Sequence, residues 1–380
     1  MMQMTKWSTV GVVTAMVALG LAAIDPPARA QQGGSVPTFE VDPLWPKFDG
    51  NWIFGSIGGV YVDPTTDHVW VLNRPRTLQA DEDYAAQLPP RADCCVPPPF
   101  VMQFDANGKI VGKGWGGPGP GYEWPLNEHG LSIDSKGNFW IAGNGKGDAQ
   151  VLKFNRDGKF LLQIGHFGKS AGSDDTANFA SPTKATYFAK TNEVFVTDGY
   201  INRRVAVFDA DTGAYKRHWG AYGKRPDDSV KLVRSNEGPP PPQFNLVHDV
   251  QISNDDLVYI ADRSNNRLQV FRPDGTFVKE AFVAREVSTP TGTAVTLAFS
   301  PDKEQRFLYV TGGDQKIRIL DRQSLRVLGS FGRLGHYPGQ FHHITDIAVD
   351  SKGNIYTGEN TGRRVQKFTF KGMSGSQGGQ

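Results

Sequence analysis

Apolar and polar residues alternate in short runs along most of this chain, and the runs recur in a fixed order. A first run at 59–63 is answered by others at 130–134, 184–188, 249–253, 296–300 and 346–350. Each leads through a turn with Asp, Asn or Gly to a second run, at 69–73, 139–143, 194–198, 258–262, 308–312 and 355–359. Polar loops then lead to third runs at 100–104, 150–154, 204–208, 267–271, 316–320 and 364–368. Fourth runs follow glycine-containing turns at 109–115, 159–165, 214–220, 276–282 and 326–332. Period-two alternation with β-branched and aromatic residues predicts strands. The chain therefore reads as six repeats of a four-strand unit.

The sixth repeat has no fourth run, because Phe370 leads into MSGSQGGQ. The missing strand is available at the other end, as Thr38-Phe39-Glu40-Val41. A ring closed by strands from both termini removes the open sheet edge. The expected fold is all-β: a six-bladed β-propeller forming one domain over residues 36–371, with a flexible tail at 372–380. Segments such as VYIADRSNNRLQVFRPDG (258–275) resemble NHL repeats, whose pattern is aDxxNxRvqxf. That resemblance implies the propeller fold and leaves function open.

Composition supports a closed, turn-dense fold. Its 44 glycines and 25 prolines make up about 18% of the chain, against about 12% in ordinary proteins. With 38% hydrophobic and 11% aromatic residues there is material for a large core, which excludes wholesale disorder. Charge is balanced at 41 basic against 39 acidic residues, with no basic run, so nucleic acid is not the expected partner. Residues 1–30 read as a signal peptide: Lys6, an apolar stretch from Val10 to Ile24, then Ala28-Arg29-Ala30 before Gln31. An uncleaved anchor is the rival reading. No other segment is long and apolar enough to span, so an exported protein, periplasmic or secreted, without stable membrane insertion after cleavage, is expected. The only cysteines, Cys94 and Cys95, are neighbours. They can form a vicinal bridge but no disulfide framework.

In such a propeller the first strand of each blade lines the central channel. Aligning the six first runs gives a ring of Gly58, His129, Thr183, His248, Val295 and Thr345. His129 and His248 are thus equivalent, and two imidazoles facing one axis are candidate metal ligands, one or two short of the number zinc takes. The loops between second and third strands carry Arg74, Tyr200 and Arg263 at the same mouth, with Asn73, Asp198 and Asp262 beside them. Arginine offers a planar fork for carboxylates, and a tyrosine among cations can serve as a base. Arg204, Arg267 and Arg364 are expected to be structural, tying the Asp- and Asn-containing turns.

EHGLSID (128–134), VFVTDGYINRRVAVF (194–208), QFNLVHDVQI (243–252) and VYIADRSNNRLQVF (258–271) resemble the peptidyl-α-hydroxyglycine α-amidating lyases, themselves six-bladed propellers. The resemblance implies zinc on three histidines, a tyrosine base, two arginines about the substrate, and a central calcium on an aspartate and backbone carbonyls. Carried over, His129 and His248 match zinc ligands, Tyr200 the base, and Arg74 and Arg263 the arginines. Asp346 with the carbonyls of Val60 and Leu131 matches the calcium site. At the third histidine position this chain has Thr345, and His343 lies two residues earlier, about 6–7 Å along an extended strand. The family's cysteines around Tyr200 and Arg263 are also absent.

The implied activity is C–N cleavage of an α-hydroxylated, carboxylate-bearing small molecule or peptide, releasing glyoxylate. The alternative is a non-catalytic NHL propeller binding a protein or glycan at its mouth. A calcium-dependent lactonase would need Glu, Asn and Asp about one calcium, which the ring positions do not supply. The Gly116-Gly117-Pro118-Gly119 turn lacks the ending of a phosphate loop, and no nucleophile elbow occurs.

Overall fold

The computed structural model describes residues 35–48, 50–234 and 236–374. The leader expected over residues 1–30 lies outside them, as do residues 375–380. Among the described residues, six antiparallel four-stranded sheets follow one another around a ring. Blades 1 to 6 begin with strands β2 (Ser56–Val62), β6 (Glu128–Ile133), β10 (Pro182–Phe188), β14 (Val247–Ile252), β18 (Leu297–Phe299) and β22 (Ile344–Val349). These strands neighbour one another in turn, β22 returning to β2, so they enclose the channel. The sixth sheet runs β1–β24–β23–β22, where β1 is Pro37–Asp42, β23 is Ile355–Glu359 and β24 is Val365–Met373.

Closure follows the sequence pattern. Strand β1 pairs with β24 in the register Phe39–Phe370, Glu40–Thr369 and Val41–Phe368. The last strand continues to Met373, past the expected run at 364–368 and two residues past the expected domain end, and the Ser374 amide donates to the Val36 carbonyl at 2.7 Å. Phe39 also reaches across to blade 5, stacking on Phe331 at 5.2 Å and edge-on to Tyr309 at 5.7 Å.

The core lies between blades as well as within them. One apolar cluster joins Trp70 and Leu72 of blade 1 to Ile133, Phe139 and Ile141 of blade 2, and comparable clusters fill other seams. Each large apolar side chain buried there contributes about 1.5–3 kcal/mol, which an isolated blade would forgo.

Arg204, Arg267 and Arg364 are clasps, as the turn pattern suggested. Arg204 pairs with Asp198 at 2.9 Å, Arg267 with Asp262 at 2.7 Å and Arg364 with Glu359 at 2.8 Å. The same acids accept the amides of Ala180, Asn245 and His342 at 2.7–2.8 Å. Each clasp thus ties the segment entering its blade to the mouth loop. Cys94 and Cys95 are disulfide-bonded in the loop between β3 (Val69–Arg74) and β4 (Val101–Phe104).

Candidate active site

Irregular register aims side chains at the axis. In blades 1, 3, 4 and 6 the pairing of the first strand slips at Gly58, Thr183, His248 and Thr345, and in blade 2 at Gly130, next to His129. Such bulges re-aim side chains that regular pleating would bury in a blade. A cleft of about 60 Å³ opens at the loop mouth, lined among others by Arg74, His129, Tyr200, His248, Arg263 and His343. The five residues singled out for catalysis and zinc therefore line one cleft.

Both ring histidines are buried and held in one tautomer. Nδ1 of His129 lies 2.9 Å from the Thr183 carbonyl and Nδ1 of His248 lies 2.8 Å from that of Val295. A carbonyl only accepts, so Nδ1 carries the proton in each and Nε2 is left with its lone pair. Burial, then the positive charge of Arg74 for His129 and of Arg263 for His248, holds both well below the usual imidazole range. Both are therefore neutral at pH 7. Their ring centres are 4.9 Å apart.

Tyr200 completes a chain of contacts. Its hydroxyl accepts a hydrogen bond from Arg263 Nη1 at 3.1 Å and lies 3.4 Å from His129 Nε2. Arg263 is fixed by its Nε bond to the Thr291 carbonyl at 2.7 Å. Arg74 is buried, anchored by Nε on the Glu128 carbonyl at 2.5 Å, and its Nη2 has no hydrogen-bond partner among the described residues. A Cβ at Gly58 would sit 2.5 Å from that carbonyl and 3.1 Å from Arg74 Nε, so glycine there keeps the path of the guanidinium open. A buried, unpaired guanidinium nitrogen costs free energy until a ligand satisfies it, and a carboxylate is its natural complement.

The strand does not extend as far as His343, since β22 begins at Ile344. His343 precedes β22 in a left-handed turn, φ +63°, with its amide on Gln315 Oε1 at 2.7 Å and its carbonyl accepting from Asn360 at 2.8 Å. Spacing along a strand therefore does not apply, and the imidazole lines the same cleft as His129 and His248. Burial, then Arg263 and Arg74, lowers it to about 4. Thr345 is buried with its hydroxyl unpartnered among the described residues. His129 and His248 suit zinc in kind and tautomer, since ligating imidazoles present one nitrogen and anchor the other. They fall short in number: no group of three or more His, Cys, Asp or Glu arranged to hold a metal ion occurs among the described residues.

Below the imidazoles the channel narrows to a space of about 10 Å³, at the lower limit for one water. The expected calcium ligand Asp346 is there, but the donors do not fit that ion. Lys184 Nζ lies 2.8 Å from Asp346 Oδ1 and 3.4 Å from Asp249 Oδ1. Asp346 also accepts the amides of Val60 at 3.1 Å and Ile347 at 3.0 Å, and the Thr296 hydroxyl lies 3.0 Å from its Oδ1. Val60 thus presents an N–H to Asp346. Calcium takes six to eight oxygens; here an ammonium and N–H donors face the carboxylate. Lys184 was missed in the sequence, although the residues following the ring positions read Gly59, Gly130, Lys184, Asp249, Thr296 and Asp346, one base facing two acids.

Fold and site define a six-bladed β-propeller whose channel mouth gathers neutral histidines, arginines and a tyrosine. The NHL repeat family matches residues 244–271. Within that class the chain is similar to the amidating enzymes. It is 30% identical over 254 residues to the peptidylglycine alpha-amidating monooxygenase of Rattus norvegicus, covering 64% of this chain and 23% of the relative. It is 27% identical over 198 residues to a probable peptidyl-alpha-hydroxyglycine alpha-amidating lyase of Caenorhabditis elegans, covering 50% and 49%. The chain thus spans about a quarter to about half of these relatives' length. A solved structure titled as a streptogramin B lyase aligns with TM-score 0.49 at 12% identity, covering 90% of this chain and all of that one.

Proposed function

We propose that the mouth cleft is the active site of an exported lyase that cleaves an α-hydroxyglycine-type substrate into an amide and glyoxylate. The observation that carries this reading is the unpaired Nη2 of buried Arg74 in one cleft with a tyrosine hydroxyl held between Arg263 and His129. Arg74 would take the substrate carboxylate. Tyr200 would act as the base, with the Arg263 guanidinium beside its oxygen to offset the negative charge of that role. As the substrate hydroxyl loses its proton, its C–O bond becomes a carbonyl and the C–N bond breaks. The amide nitrogen regains a proton, so atoms and charge balance without a redox partner. Zinc, if bound, would sit on Nε2 of His129 and His248 and supply Lewis-acid stabilisation of developing negative charge on oxygen.

The resemblance to the amidating lyases and the leader-like residues 1–30 support an exported enzyme acting on a small molecule or peptide. The second reading, a propeller that binds a partner without chemistry, is favoured by the missing third metal ligand. Glyoxylate release from a peptide ending in α-hydroxyglycine separates the two, because only the lyase forms that product.

A further inference from the structure

We infer that the Lys184 ammonium is the built-in axial cation of this propeller, occupying the position between Asp249 and Asp346 that a metal ion would otherwise need to fill. The two carboxylates come from blades 4 and 6, which are not adjacent, and both are buried at the axis. Two anions so placed repel one another and are costly to bury unless a cation lies between them. Lys184 comes from blade 3 and is itself buried, with Nζ at 2.8 Å from one acid and 3.4 Å from the other.

Donors from the other blades take up what the ammonium leaves. Asp249 Oδ2 accepts the Thr296 hydroxyl and the Leu297 amide of blade 5, each at 2.7 Å. Asp346 Oδ2 accepts the Val60 amide of blade 1 at 3.1 Å. Five of the six blades are therefore joined through one tethered charge. Burial alone would lower the Lys184 pKa, yet the two aspartates more than offset it and hold it above its ordinary value. Gly130, at φ +67°, makes room for this strand: a Cβ there would lie 2.2 Å from the Thr183 carbonyl and 2.9 Å from Lys184 Cα. A tethered ammonium cannot dissociate, so the ring does not depend on a dissociable axial ion.

Thermal unfolding of the purified chain in chelator and in millimolar calcium tests this without reference to activity. The wild type should melt within about 1 °C in both, because a ligand raises the midpoint only if it binds the folded state. Lys184→Ala leaves two buried acids unpaired and opens space between them. It should melt about 5–10 °C lower in chelator and recover at least half of that loss in calcium. Lys184→Met fills the same space without charge; it should melt low in both conditions. A wild-type midpoint that moves by more than about 2 °C with calcium overturns the inference, and this arm decides alone if Lys184→Ala does not fold. Equal stability of Lys184→Ala and wild type in chelator, or no calcium recovery in a folded Lys184→Ala, also overturns it.

Discussion

Replacing Arg267 by methionine should destabilise this propeller more than almost any other single change outside the apolar seams. Arg267 is fully buried; it holds Asp262 through Nε at 2.9 Å and Nη2 at 2.7 Å. It also donates to the carbonyls of Pro241 and Gln243 at 2.8 and 3.2 Å and to the Tyr222 hydroxyl at 2.6 Å. Methionine retains much of the volume and none of these bonds. Asp262 would keep the Asn245 amide and Asn265 Nδ2, each at 2.7 Å, but no counter-charge. Burial already raises its pKa against the opposing pull of Arg267, so without the arginine it would rise further. Breaking one side of such a buried pair costs about 3–5 kcal/mol. Urea unfolding of wild type, Arg267→Met and the double variant Asp262→Asn with Arg267→Met measures it. The single variant should lose about 3–5 kcal/mol, and the double variant should regain at least about 1 kcal/mol because the stranded charge is gone. The single variant should also lose less relative to wild type as the pH is lowered, because the raised Asp262 carboxyl then takes a proton. A loss below about 1 kcal/mol at pH 7 would refute the reading of this clasp as a buried charge pair.

Two further outcomes follow from the closure and from the ring. Phe39→Ala removes a partly buried ring that bridges blades 6 and 5 and should cost about 2–3 kcal/mol by chemical denaturation; an unchanged midpoint contradicts closure by the N-terminal strand. His343 is held at about 4 in the fold against about 6.5 unfolded, so below pH 6.5 the unfolded state binds more protons. Its contribution is intact above that pH and is lost at about 1.4 kcal/mol per pH unit as pH falls towards 4. In chelator-treated protein, His343→Gln should reduce the slope of stability against pH by that amount, and equal slopes for variant and wild type would contradict its burial as a neutral group.

The architecture was readable because strand alternation is local and recurs six times; even the borrowed strand at Thr38–Val41 could be inferred from a missing partner. The clasps were readable for the same reason, since Asp262 and Arg267 lie five residues apart. Lys184 was harder, because its partners Asp249 and Asp346 are 65 and 162 residues away and meet only when the ring closes. The place of His343 depended on how far the strand extends, and the left-handed turn that precedes β22 is set by packing rather than by local pattern. The mouth cluster was found residue by residue, but the unpaired Nη2 of Arg74 is a property of packing that no local pattern encodes.

The central claim is tested most directly by measuring glyoxylate released from a peptide ending in α-hydroxyglycine, with and without added zinc. Wild type should form glyoxylate and amide in equal amounts. Tyr200→Phe, which removes one hydroxyl and should leave thermal unfolding unchanged, should lower the rate about 10²–10⁴-fold, the usual size of a general-base contribution. No glyoxylate from folded wild type in either condition would contradict the account and leave the binding propeller as the function of this ring.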